Sequence, residues 1–152
     1  MNIFATSPDP ILCAQALDDK RVVKMVLETG QIISSARHLL GMGAVYRPTH
    51  LSHHCVLWAA ADHAHLLWTF QLLRALSAEY TFRYGREHLT WTKYRGVAPP
   101  DSPVMPRYFV NVTRYPALND VHQAYRLHLI DKWNRSEPRW TKRDRPDWFG
   151  EA

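Results

Sequence analysis

Arg21, Lys24, Glu28, Gln31 and Ser35 recur at alternating spacings of three and four residues, so on a helix they share one narrow face. Val22, Met25, Val26, Ile33, Ala36 and Leu40 form the broad core face of the same helix. Val23, Leu27 and Gly30 leave the opposite flank apolar or bare. A carboxylate between apolar walls, with cations one and two turns away, is pulled in two directions. Burial raises its pKa, while Lys24 and Arg21 lower it. Opposed environments of this kind tune a general acid/base or a charge stabiliser. The same spacing also describes a surface Lys24–Glu28 pair, worth roughly a few tenths of a kcal/mol.

Histidines form the next group. His50, His53 and His54 sit in a polar loop ahead of a long apolar helix, and His63 and His65 lie inside it. A histidine at a helix start can bond a phosphate or protonate a leaving group near neutral pH. For His54 and His65 the expected use is a hydrogen bond to backbone. His-x-x-His here lacks the glutamate of a zincin helix and no Cys pair supports it, so neither a metal nor another cofactor is expected. The sequence carries no Gly-rich phosphate loop, no G-x-S-x-G elbow and no carboxylate cluster for Mg²⁺. Cys13 and Cys55 lie in apolar helical context and read as buried, reduced thiols, which fits a cytoplasmic setting.

At the far end, Trp140, Trp148 and Phe149 interleave with Arg139, Lys142, Arg143 and Arg145. Cations of such a tail reach phosphates while flat rings stack on exposed bases. The alternative is that the rings dock the tail on the core, which is expected of Phe149 and one tryptophan. The chain carries a formal charge of +5 and a pI near 9.4. Its cations concentrate from Lys132 to Arg145, which points to a polyanion, a nucleic acid before others.

Helices must position these groups. After an extended Met1–Ser7, Asp9 or Ser7 caps a short helix through Leu17, and a second helix runs from about Asp19 to Leu40, ended by Gly41 and Gly43. A long helical region, apolar on most sides, spans Cys55 to Tyr84 and stops at Gly85; Glu79 and Arg83 are spaced as an i,i+4 pair. A short helix over Glu87–Tyr94, a Pro-rich loop over Gly96–Pro116 and a helix from about Ala117 to Trp133 follow. The expectation is an all-α, compact single-domain helical bundle over 1–152, with 134–152 as a basic-aromatic tail. No membrane span and no secretory signal are read.

Several of these residues resemble the pyrimidine-dimer DNA glycosylase/AP lyase family, the phage endonuclease V type. Leu17, Asp19, Arg21 and Glu28 stand, without a gap, where that family carries a Leu-x-Asp-x-His stretch and, seven residues after the histidine, an essential glutamate. Arg21 therefore replaces the histidine. Pro48-Thr49 with His53 is similar to the segment before the family's second long helix, and Glu79-Tyr80…Arg83-Tyr84-Gly85 to that helix's Glu-x-x-x-Arg-Gly ending. Trp140-Thr141-Lys142 resembles an aromatic-basic C-terminus that touches the lesion, and Met1-Asn2-Ile3-Phe4 the short apolar start of bacterial members. Asp19 to Met25 also resembles an Asp-Lys-His-Val-Val-Lys-Met segment of phage proteins.

The resemblance implies a DNA N-glycosylase with AP lyase activity on a damaged or modified pyrimidine. The N-terminal amine would attack the sugar, with Glu28 stabilising charge and moving protons and His53 beside the site. Residue 2 is Asn where the best-known members expose a threonine after losing Met1. The nucleophile is then the amine of Met1 itself, or the covalent step is absent. Arg21, Lys24, Arg47 and His50 would bind DNA together with Trp140, Lys142, Arg143 and Trp148. The implied partner is duplex DNA with an extruded base. The protein would act as a monomer in the cytoplasm of a bacterial or phage-infected cell. Two other readings stand beside it: a hydrolase or transferase on a modified base or nucleotide, with Glu28 activating water, and a non-catalytic nucleic-acid-binding protein.

Overall fold

Asp9 closes the extended entry segment and opens the first helix, α1 (Pro10–Ala16). Its carboxylate accepts the Ile11 N–H at 2.9 Å, and Pro10 fills a first-turn position whose N–H has no partner anyway. In this computed structural model, which describes residues 1–150, five more helices follow: α2 (Asp19–Leu39), α3 (His54–Ala61), α4 (His63–Tyr84), α5 (Leu89–Tyr94) and α6 (Val121–Trp133). The fold is all-α, with no strand among the described residues.

The helix bounds follow local chemistry. α4 ends at Gly85, whose φ of +72° suits a residue without a side chain. The long region expected as one helix is two. Asp62 is extended (φ −154°) and ends α3, while its carboxylate accepts the Ala64 N–H at 2.8 Å and starts α4. α6 begins at Val121 rather than near Ala117, because Asp120 captures the Gln123 N–H. Leu40, expected in the core face, is 48% exposed beyond the last turn of α2.

α4 is the central element, as its apolar circumference implied. Leu66, Trp68, Phe70, Leu72, Leu73 and Leu76 are all buried, and α1, α2, α3 and α5 pack against it. α2 buries Val22, Met25, Val26, Ile33 and Ala36 against α3, α4 and α5.

Residues 3–7 thread through the core without helix or strand partners, so side chains satisfy their carbonyls. His122 Nδ1 meets the Ala5 carbonyl at 2.7 Å, Arg126 Nε donates to Thr6 at 3.0 Å, and Trp68 Nε1 donates to Pro8 at 2.9 Å. This lacing fixes where the chain's first residue lies.

The tail is laced as firmly. Trp140, Trp148 and Phe149 surround the buried Trp133 with ring centroids 5.1, 5.5 and 4.9 Å away. Trp140 donates its indole N–H to the Ala16 carbonyl at 2.9 Å. Thr141 binds Asp19 through both its N–H and its hydroxyl.

Candidate active site

Glu28 sits midway along α2, and its side chain retains 19% exposure. Oε1 lies 3.5 Å from the α-amine of Met1, and Oε2 lies 3.8 Å from Lys24 Nζ. The two cations differ: the Lys24 side chain is 65% exposed, whereas that of Met1 is 3% exposed and packs against the core. The Lys24–Glu28 pair is therefore the solvated i,i+4 contact that spacing allowed, whereas the Met1 amine belongs to a half-buried residue anchored by its side chain. One expected wall of the carboxylate is missing, since Val23 and Leu27 are 42% and 41% exposed.

The opening segment aims the amine by a kink. Phe4 is buried with φ +39°, an unusual conformation for an aromatic residue, and Asn2 Oδ1 accepts its N–H at 2.8 Å. The Thr6 N–H closes the turn onto the Phe4 carbonyl.

His53 completes the group. Its ring is the N-cap of α3, with Nδ1 accepting the Cys55 N–H at 3.0 Å. Burial, then the positive charges of the Met1 amine, His50 and His54, push its pKa below the ordinary histidine value, against an opposing pull from Glu28. With Nδ1 used as an acceptor, the neutral ring carries its proton on Nε2 and offers a single N–H donor. Burial pushes the Cys55 thiol up to about 12 against the nearby amine charge, and burial likewise takes Cys13 to about 12, so neither is a ready thiolate.

Of the other residues singled out from sequence, Arg47 and His50 are exposed on the loop before α3. That loop is anchored to α2 by Ser35 Oγ, which donates to the Thr49 carbonyl at 2.6 Å and accepts the Thr49 N–H at 2.9 Å. His50 takes φ +52° and turns the chain there. Arg21 belongs to a different pair from the one its face suggested: Nη1 lies 3.1 Å from Asp18, one turn back, and not on Glu28. Lys142 is exposed with φ +58°. Arg143 is held by both oxygens of Glu79, at 2.7 and 3.0 Å, over the Phe82 ring. Trp140 and Trp148 stand against Trp133. None of these four tail residues forms a hydrogen bond or ion pair with Met1, Glu28 or His53 among the described residues.

Sequence reasoning missed Asp18, which is buried and joins Arg21 to the Trp133 indole at 2.9 Å. It also missed Asn2 and Phe4 as shapers of the amine's position. A polar residue directly before a helix, as Asp18 is, was the available signal. Among the described residues no three His, Cys, Asp or Glu side chains converge as metal ligands, and no helix is long and apolar enough to cross a membrane. A family model described as pyrimidine dimer DNA glycosylase matches residues 1–93, a stretch that holds Met1, Glu28 and His53 and stops before α6 and the tail. No curated protein and no solved structure matches the chain.

Proposed function

We propose, from the premise that the chain belongs to the pyrimidine dimer DNA glycosylase family, that it excises a damaged or modified pyrimidine from DNA and then breaks the strand, using the Met1 amine as nucleophile. The observation that carries this reading is the 3.5 Å approach to Glu28 of that amine, whose residue is anchored by its side chain in the core. A primary amine that has given up its proton attacks an electrophilic carbon through its lone pair.

The amine lone pair forms a bond to the sugar C1′ while the bond from C1′ to the base breaks. The base departs with that electron pair and takes up a proton. Glu28 opposes the positive charge that develops on the sugar, then accepts a proton from the attached nitrogen. The ring oxygen leaves C1′ with a proton, which gives an open-chain imine. Loss of a C2′ proton, for which Glu28 is the nearest carboxylate, expels the 3′ phosphate with its electron pair. His53 Nε2–H supplies a neutral donor beside these atoms. Duplex DNA hides C1′, so the substrate must be kinked and a base extruded. Lys24, Arg47 and His50, all exposed, would meet flanking phosphates.

Borohydride trapping tests the proposal. Wild-type protein should give a covalent adduct with duplexes that hold an abasic site or a thymine dimer, and Glu28→Gln should lose strand cleavage by at least about 10²-fold. Release of free base with no trapped adduct would instead assign a hydrolytic reaction in which Glu28 activates water. No turnover on any lesion would leave only DNA binding.

A further inference from the structure

A cleft of about 520 Å³ opens between the start of α2 and the end of α6. Six cations line it: Lys20, Arg21, Arg114, Lys132, Arg135 and Arg139. Three carboxylates share the wall, and two of them are already committed. Asp18 holds Arg21 and the Trp133 indole, and Asp19 holds Arg83 and Thr141. That leaves Glu137 facing five cations, none of which forms an ion pair among the described residues. Four of these cations lie beyond residue 93, outside the part of the chain that the family match covers.

One member of the cleft feels its neighbours' charge. Burial first, then Arg21, Arg114, Lys24 and Arg135, push the Lys132 ammonium below the ordinary lysine value. Lys24 acts on Lys132 and also stands beside Glu28, so one cation is within electrostatic reach of both the cleft and the candidate active site. Unpaired like charges destabilise a folded chain, and a bound polyanion removes that repulsion.

Distance sets the register. Arg21, on the cleft, and Glu28 are seven residues apart on α2, or about 10 Å along its axis. One DNA strand advances about 3.4 Å per nucleotide. We infer that this cleft binds the phosphodiester backbone of DNA about three nucleotides to one side of the reacting sugar, through Lys20, Arg114, Lys132, Arg135 and Arg139. The inference rests on the glycosylase reading for its reference point, but the cleft's affinity for DNA does not depend on the chemistry.

Its test is the salt dependence of binding. Affinity for a duplex bearing a tetrahydrofuran abasic analogue is measured against salt concentration by fluorescence anisotropy, for wild type, Lys132→Gln, Arg135→Gln and the double variant. Each exposed cation that contacts a phosphate should lower the log–log slope by about one. The double variant should therefore lose about two, on undamaged duplex as well. Arg95→Gln, which removes an exposed arginine paired with Glu87, should leave the slope unchanged. Duplexes cut to two base pairs on one side of the analogue should bind wild type and double variant alike, and cutting the other side should preserve the difference. An unchanged slope in a double variant with wild-type circular dichroism would overturn the inference even if the wild type cleaves DNA. Wild-type binding with the expected slopes but no adduct on any lesion would sink the glycosylase reading and leave the cleft intact.

Discussion

His53 accepts the backbone N–H of Cys55 on Nδ1 at 3.0 Å, so the ring that feels the Met1 charge also caps α3. The same contact recurs twice. His88 Nδ1 accepts the Thr90 N–H at 3.1 Å to cap α5, and His128 Nδ1 accepts the Arg114 N–H at 3.2 Å. A protonated ring carries an N–H at that position and loses the bond. The backbone N–H groups of Cys55, Thr90 and Arg114 thus depend on histidines that stay neutral.

Stability should therefore fall in mild acid. Burial is the leading cause that holds all three rings below the ordinary histidine value. As pH drops through about 6.5 the unfolded chain takes up protons that the folded rings still refuse. The contribution is complete above that pH and is lost as pH falls toward the folded values. Melting temperature should drop between about pH 7.5 and 5.5, before most carboxylates titrate. His53→Asn, which keeps a capping acceptor, should flatten part of that dependence. A melting temperature that is level or rising across the window would count against it.

Extending the chain by one residue before Met1 converts the amine into an amide. The Met1 side chain keeps its place in the core, so the fold should persist, with the melting temperature lowered only by loss of the Met1–Glu28 ion pair. Adduct formation and strand cleavage should fall by at least about 10²-fold, the low end of what a positioned catalytic group contributes. Intact mass would confirm the extension. Full cleavage by the extended protein would exclude the amine as nucleophile.

The bounds of α2, the Gly85 stop and the Glu79–Arg83 pair were all legible, because each depends on residues within one or two turns. The break at Asp62 was not. Neither Pro nor Gly marks it, and apolar residues continue on both sides. The histidine caps were hidden for a different reason, since histidine is not among the favoured N-cap residues. Glu28 and Lys24 were visible as neighbours, but Arg21 has a closer partner in Asp18. The meeting of Met1 with Glu28 depends on how residues 3–7 thread between helices, which no local period encodes. For the same reason the tail, in which docking was expected of Phe149 and one tryptophan, gave no sign that all three rings would converge on Trp133.

Gly30→Ala separates helix propensity from packing. In an open helix interior the change would stabilise by roughly 0.5–1 kcal/mol. Here a Cβ would sit 2.8 Å from Thr90 Cγ2, 3.0 Å from a Tyr94 ring carbon and 3.3 Å from one of Tyr46. Tyr94 is buried and hydrogen-bonded to the Gly30 carbonyl and to Ser34, so it has little room to retreat. Overpacking of this kind costs about 1–3 kcal/mol and outweighs the propensity gain. Urea denaturation should show net destabilisation, and a higher midpoint would mean that α5 yields freely. The push on Tyr46 also bears on its neighbour Arg47, so any residual activity should show a raised KM for DNA.

Glu79 offers the sharpest test of how the tail is held. Its carboxylate accepts Arg83 Nε at 2.8 Å and two nitrogens of Arg143 at 2.7 and 3.0 Å. The Arg83 side chain is 0% exposed and that of Arg143 is 29% exposed. Glu79→Ala strands a buried guanidinium with Asp19, 3.1 Å away, as its remaining carboxylate, and should cost about 3–5 kcal/mol. Arg143→Ala removes a partly solvated partner and leaves the Arg83–Glu79 pair intact, so about 1–2 kcal/mol is expected, even though its contacts are as short. The order matters more than either value. If Arg143→Ala proved the more damaging in urea denaturation, the tail's docking rather than the buried pair would dominate this corner of the fold.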